Sequence, residues 1–252
     1  MFQRVALSTR FRKNIMTGRA SAASRATALQ DWLFPGNCLL CAARAPAGQP
    51  LCAGCAAALP RITIACPRCA APLAEASTAA CGACQQHRLH FDAAQALFHY
   101  QPPVDRLIQN LKYHRQLSLA RVLGNLLAKH LDANMTIRPD ILVPVPLHPA
   151  RLRERGYNQS LELARIVARR FDLPLTTHAV KRVRATPPQT TLTSSERRRN
   201  VRNAFHTASD FSGKRVAIVD DVMTSGHTVN ALAKCLRRAG ATNVVVWVVA
   251  RA

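Results

Sequence analysis

The stretch VAIVDDVMTSGHT, residues 216–228, carries the most structural information in the chain. A run of apolar residues ends in two adjacent carboxylates, Asp220 and Asp221. A turn containing Thr224, Ser225, Gly226 and Thr228 follows, and an amphipathic helical pattern begins there. A buried strand that ends in acids and turns through glycine into a helix brings those groups to the carboxyl edge of a sheet, where open α/β folds bind ligands. Backbone N–H groups at a helix N-terminus, aided by the helix dipole, hold phosphate. Two neighbouring carboxylates accept hydrogen bonds from two neighbouring ribose hydroxyls. A ligand with both features is a ribose 5-phosphate derivative. The plainer alternative is an ordinary strand-to-helix turn in which an Asp caps the helix.

Outward from this stretch, apolar periodicity alternates between strand and helix from Phe91 onward. Short strands are expected over residues 95–100, 141–146, 214–219 and 244–249. Helices are expected over 104–113, 117–131, 160–171 and 228–239. Gly240 reads as the stop of the last helix. Strands and helices alternating at this spacing imply a mostly parallel sheet with right-handed crossovers and flanking helices. Cys235 falls on the last helix and reads as a small buried apolar residue.

Ahead of that pattern lie eight of the nine cysteines, in four CxxC pairs: Cys38/Cys41, Cys52/Cys55, Cys66/Cys69 and Cys81/Cys84. Ten, ten and eleven residues separate the pairs. One CxxC places two thiolates on one metal, and two such pairs complete a tetrahedral Zn–S4 site. Two structural Zn²⁺ ions are expected, with sequential pairing the simplest arrangement and interleaved pairing or an iron–sulfur cluster as alternatives. His87 and His90 follow the last pair and could substitute as ligands, although four complete pairs make that unnecessary. No secretory signal is recognisable, so disulfides are the weaker reading.

The chain has 252 residues, with 35 Lys+Arg against 13 Asp+Glu and a formal charge of +22. That length suits one α/β domain with a small appendage. The balance favours polyanions such as nucleic acid or pyrophosphate-bearing ligands; a solvated basic surface is the bland alternative. The longest apolar run, residues 244–250, is far short of the roughly 18 needed to span a bilayer, so no membrane span and a cytoplasmic location are expected. Residues 1–28 are basic and rich in Ser, Thr and Ala. They read as a disordered extension or the product of a start codon placed too far upstream, despite a superficial likeness to a transit peptide. The domains expected are therefore the extension 1–28, a double zinc ribbon over 29–90 and an αβ domain over 91–252.

Two further segments carry chemistry. Residues 143–160, VPVPLHPARLRERGYNQS, follow a strand end with Arg151, Arg153 and Arg155, then Gly156 and Tyr157. Arginine forks bind phosphate oxygens in pairs. Residues 182–205, RVRATPPQTTLTSSERRRNVRNAF, form a long polar stretch just before the acid-bearing strand. Such stretches are commonly lids or disordered; a basic lid over pyrophosphate competes with a solvated loop.

The 216–228 motif resembles the phosphoribosyl pyrophosphate (PRPP) loop of type I phosphoribosyltransferases. The resemblance implies that Asp220 and Asp221 contact the ribose hydroxyls. It also implies that Val222, Met223, Thr224, Ser225, Gly226, His227 and Thr228 form the PRPP loop, wrapping the 5-phosphate. Enzymes of this kind that salvage 6-oxopurines often carry a carboxylate base where this chain has Thr224, which weakens an oxopurine acceptor. The four CxxC pairs, the LKY at 111–113, the RGYNQ at 155–159 and the spaced set Arg184, Thr186, Gln189, Leu192, Arg197, Asn200 and Phe205 together resemble the ComF/GntX family, from about Leu29 to Ala252. Tyr157 stands where phenylalanine is common. That family joins a double zinc ribbon to a type I phosphoribosyltransferase-like domain and is associated with competence and DNA uptake.

Two functions are weighed. One is a Mg²⁺-dependent phosphoribosyltransferase in which Asp220 and Asp221 hold ribose, while Arg155, Arg184 and Arg197 offset charge on the departing pyrophosphate. Its acceptor is unidentified. The other is a non-catalytic PRPP-sensing or single-stranded-DNA-binding competence protein, with competence-machinery proteins as partners. Net charge favours DNA binding; an aromatic content of 5% opposes it, because single-strand platforms stack bases on aromatic rings.

Overall fold

A computed structural model describes residues 36–46, 49–184 and 203–252. The expectation for residues 1–28 lies outside them. The described chain divides into two compact units, one ending at Ala57 and the other spanning Ala58–Ala252. The division falls between the second and third CxxC pairs, so each unit holds two of the pairs.

In the first unit, β1 (Gly36–Asn37) and β2 (Arg44–Ala45) pair antiparallel around the Cys38/Cys41 turn, and the short helix α1 (Ala53–Ala57) carries Cys55. The second unit opens on an equivalent turn at Cys66/Cys69. The two turns share one backbone design. Cys38 N–H donates to Ala43 O and Ala42 N–H to Cys38 O; Cys66 N–H donates to Ala71 O and Ala70 N–H to Cys66 O. Ala42 and Ala70 both take left-handed backbone, at φ 58° and 53°. A residue with a Cβ pays strain there, which the closed turn and its thiol cluster must hold. The helix α2 (Gly82–Gln86) then carries Cys84.

The body of the second unit is a four-stranded sheet of β3 (Ala93–His99), β8 (Asn243–Arg251), β7 (Arg215–Met223) and β4 (Ile141–Pro144), in that order and all parallel. Its strands are near-continuous Val, Ile, Leu and Ala because both faces are covered. After β3 the chain runs through α3 (Val104–Tyr113) and α4 (Ser118–Asn134) to β4 at the far edge. The segment α5 (Pro149–Arg155) and α6 (Gln159–Phe171) follow. α6 packs on α4, β4 and β7. Gly124 permits the α4–α6 approach: a Cβ there would lie 2.8 Å from Ile166 Cβ.

Beyond α6, the chain adds an unforeseen edge. Leu142 N–H donates to Pro174 O at 2.8 Å and Thr176 N–H to Leu142 O at 3.0 Å, a parallel bridge outside β4. A hairpin of β5 (Val180–Arg182) and β6 (Phe205–Thr207) comes next, then β7, α7 (His227–Arg238) and β8. Val229, Leu232 and Leu236 of α7, with Val180 and Phe205 of the hairpin, share one buried cluster with Val216, Ile218, Val244, Val246 and Val248.

From β4 the chain therefore moves outward across the sheet through α6; from β7 it moves the opposite way through α7. The reversal opens a crevice between the carboxyl ends of β4 and β7, the place where doubly wound sheets bind ligands. At the opposite edge, residues 60–62 run against β3, with Ile62 N–H donating to Leu97 O and His99 N–H to Pro60 O. The second cysteine cluster is thereby built into the αβ unit.

Three expectations shift. The acid-bearing strand, expected over 214–219, continues through the acids to Met223, because β8 supplies ladder partners at Val248, Ala250 and Arg251. The stretch holding Arg151, Arg153 and Arg155, given no element beyond following a strand end, is largely the helix α5, started by His148 Nδ1 accepting from Ala150 N–H and by Pro149 in the first turn. The long segment 182–205 begins and ends in a hairpin; its residues 185–202, Thr186, Gln189, Leu192, Arg197 and Asn200 among them, lie outside the described residues. No helix among the described residues is long and apolar enough to cross a membrane.

Candidate active site

The crevice is a cavity of about 330 Å³. Asp220, Asp221, Val222, Met223, Thr224, Gly226, His227 and Thr228 line one wall. Lys112, Arg151, Arg155 and Arg182 line it too. Four cations thus meet two acids, a field that attracts a ligand carrying several negative charges.

Both acids are nearly buried and held by protein groups. Asp220 is 8% exposed and Asp221 3%. Ser160 Oγ, fully buried on α6, donates to Asp220 Oδ1 at 2.7 Å, and the Asp221 N–H donates to the same oxygen at 2.9 Å. Asp221 Oδ1 accepts from the Val222 N–H at 2.8 Å, while Lys112 Nζ lies 2.8 Å from Oδ2. A carboxylate oxygen has two lone pairs, so these contacts orient the acids and leave acceptor capacity for ligand hydroxyls. Burial, and then the neighbouring Asp221, push the Asp220 carboxyl up to about 7. Burial disfavours the charge on Lys112, but Asp221 and Asp220 outweigh it and hold the ammonium above its usual range.

The turn after β7 follows from its sequence. Gly226 is the N-cap of α7 at φ 74°, a conformation costly for any residue with a Cβ, and it supplies no capping side chain. Gly226 therefore brings no capping side chain of its own to the start of α7, and backbone N–H groups at a helix start suit a phosphate. Ser225 Oγ and His227 Nδ1 lie 2.8 Å apart across the turn.

On the facing wall, helical spacing sorts the three arginines of α5. Arg151 and Arg155, four residues apart, line the cavity; Arg153 is exposed and does not. Arg155 Nη1 donates to Gln159 Oε1 at 2.6 Å, and its guanidinium sits 5.2 Å from the centroid of the Tyr113 ring. Arg182, at the end of β5, lies over the Phe205 ring at 5.7 Å. Burial, and then Arg151, hold its guanidinium below the usual range. Arg184 is exposed and lies apart from the cavity lining. Arg197 lies outside the described residues.

Lys112 and Ser160 were not assigned chemistry from sequence. Their signal was position alone, since Lys112 sits inside the LKY at 111–113 and Ser160 immediately follows RGYNQ. Neither residue type announces that it touches an acid far along the chain.

The cysteines form two groups, Cys38/Cys41/Cys52/Cys55 and Cys66/Cys69/Cys81/Cys84, with all four sulfurs of each within 4.8 Å of one another. The pairing is sequential. The Cys41–Cys52 and Cys69–Cys81 sulfurs are 3.7 Å apart. A tetrahedron with Zn–S bonds of about 2.3 Å has an edge of about 3.8 Å, whereas a disulfide would bring sulfurs to about 2.05 Å. The donor sets fit two structural zinc ions. His87 and His90 belong to neither group. Cys235 packs against the buried cluster, and burial pushes its thiol up, as an inert apolar residue requires.

Comparison with known proteins finds two family models that match the chain. The family model described as a phosphoribosyl transferase domain matches residues 112–252, and that described as a double zinc ribbon domain matches residues 29–85. The chain is 38% identical over 179 residues to Competence protein F of Haemophilus influenzae, covering 68% of this chain and 78% of that protein. It is 37% identical over 182 residues to DNA utilization protein YhgH of Escherichia coli strain K12, covering 71% and 80%. Among solved structures, a glutamine PRPP amidotransferase from B. subtilis, complexed with ADP and GMP, aligns with 52% of this chain and 26% of that one at 24% identity and a TM-score of 0.36.

Proposed function

Since this chain belongs to the ComF family, a double zinc ribbon followed by a type I phosphoribosyltransferase domain, we propose that it binds PRPP and transfers the 5-phosphoribosyl group. The observation that carries this reading is the meeting, in one cavity, of the Asp220–Asp221 pair, the glycine-led start of α7 and four cations. Asp220 and Asp221 accept hydrogen bonds from the ribose 2′- and 3′-hydroxyls. The segment from Val222 to Thr228 takes the 5-phosphate.

In the transfer, an acceptor nucleophile bonds to C1 as the bond from C1 to the pyrophosphate oxygen breaks, and the electron pair leaves with pyrophosphate. Arg155, stacked on Tyr113, offsets that charge. Arg184 and Arg197 are assigned the same role on the resemblance alone. The acid pair suits a divalent cation, because positive charge there would offset the burial and the neighbouring Asp221 that together raise Asp220. Asp220 and Asp221 would keep Mg²⁺ beside the ligand, where it would supply charge neutralisation to the pyrophosphate. The loop holds no acid between Asp221 and α7, so the acceptor brings its own nucleophile or base. A reducing, cytoplasmic location goes with this reading, because eight thiols must stay reduced to hold zinc.

Calorimetric titration of the full chain with PRPP and Mg²⁺ tests the proposal. Saturable binding that is lost in Asp220→Ala/Asp221→Ala is expected. Equal affinity in the double variant would sink it.

A second reading, binding of single-stranded DNA, is favoured by the charge of +22 and by relatives named for competence and DNA utilization. Its signature is affinity that falls steeply with salt, with a log–log slope of about −0.7 per phosphate contact. Affinity independent of salt would reject it.

A further inference from the structure

The second cysteine cluster and the loop that follows β7 are joined by one side chain. Arg251, the last residue of β8, donates from Nε to the carbonyl of Cys69 at 3.2 Å. Its Nη1 donates to the carbonyl of Met223 at 3.1 Å and to that of Thr224. The Ala252 N–H adds a 3.1 Å bond to Met223 O. Cys69 belongs to the four-sulfur group, and its neighbour Ala70 is held at φ 53° by the knuckle. Thr224 is the first residue of the turn after β7.

We infer that Arg251 is a positioning residue that makes the shape of the phosphate loop depend on metal in the Cys66/Cys69/Cys81/Cys84 cluster. A guanidinium is planar and rigid, so nitrogens bonded to carbonyls on two segments fix those segments relative to one another. A trans peptide directs its N–H opposite to its C=O. Holding the Met223 and Thr224 carbonyls therefore sets the direction of the Thr224 and Ser225 N–H groups. Metal is what keeps four thiolates together in so small a knuckle. Without it the Cys69 carbonyl loses its fixed place, Arg251 loses one anchor, and the loop loses its brace. By linkage, a ligand that needs the braced loop raises the affinity for that metal by the same factor by which the metal tightens the ligand.

The brace itself is independent of what the loop binds; its effect on PRPP affinity rests on the reading above. Hydrogen exchange of the full chain separates the two. Cys81→Ser, which disables the second cluster, and Arg251→Lys are expected to speed exchange over residues 223–228, while Cys41→Ser in the first cluster leaves it unchanged. Unchanged exchange in Arg251→Lys overturns the inference, whatever PRPP does. In parallel, Arg251→Lys should keep two zinc ions and bind PRPP with Mg²⁺ about ten-fold or more weakly. PRPP should slow the release of one of the two zinc ions to a chelator in the wild-type chain and of neither in Arg251→Lys. A variant that matches wild type in PRPP affinity and in PRPP-protected zinc overturns the inference. A wild-type chain that binds no PRPP overturns the proposed function, and the exchange comparison still decides the brace.

Discussion

Lys112 Nζ sits 2.8 Å from Asp221 Oδ2, tying the last turn of α3 to the end of β7. The lysine side chain is 20% exposed and the aspartate 4%. A buried carboxylate stripped of its cation is left uncompensated, a loss of about 3 kcal/mol or more. Lys112→Met should lower stability by that order and weaken PRPP binding together with it. Urea unfolding of the two chains measures the first effect and calorimetry the second. A variant as stable as wild type would show that water already compensates Asp221.

The raised Asp220 carboxyl makes stability pH-dependent. Its folded pKa, about 7, exceeds the ordinary value of 3.8, so the folded chain binds the extra proton between those values. Stability from this group is fully present below the unfolded pKa and falls as pH rises towards 7. Asp220→Asn should flatten that part of the ligand-free Tm profile between pH 4 and pH 7. A profile with the same slope in both chains would place the titration elsewhere.

Ligand binding should run the other way. Ribose hydroxyls are donors to the ionised acid, so PRPP affinity should rise with pH up to about 7 and binding should release a proton below it. Ser160→Ala removes the 2.7 Å donor that lowers the Asp220 carboxyl. Its affinity profile should therefore move to higher pH. Titration in buffers of different ionisation enthalpy counts the protons, and an unshifted profile would remove Ser160 from this role.

Elemental analysis should give two zinc ions per chain. Cys38→Ser should leave one zinc and an αβ unit that melts as before, since its cluster lies in the unit ending at Ala57. Cys66→Ser should also leave one zinc but lower the melting temperature of the αβ unit, into which the second cluster is built. Equal effects of the two substitutions would contradict that division.

Local chemistry determined much of this protein without tertiary information. The motif at 216–228 could be read because its steps are contiguous: apolar strand, paired acids, glycine turn, helix. The CxxC pairs were legible for the same reason, since each places two ligands of one metal within four residues. Contacts between distant segments were not legible in this way. That Lys112 faces Asp221, that Ser160 holds Asp220, and that Arg182 lines the cavity depend on where α3, α6 and β5 come to rest. The end of β7 also escaped local reading, because a strand carrying two acids is stable only where β8 supplies its ladder and other helices supply partners for the charge. The contiguous motifs alone gave the paired acids, the glycine turn and the thiol pairs suited to metal. Only the tertiary structure decided which side chains would fix those groups in place, because hydrogen bonds and ion pairs depend on distances that folding creates between residues far apart in the chain.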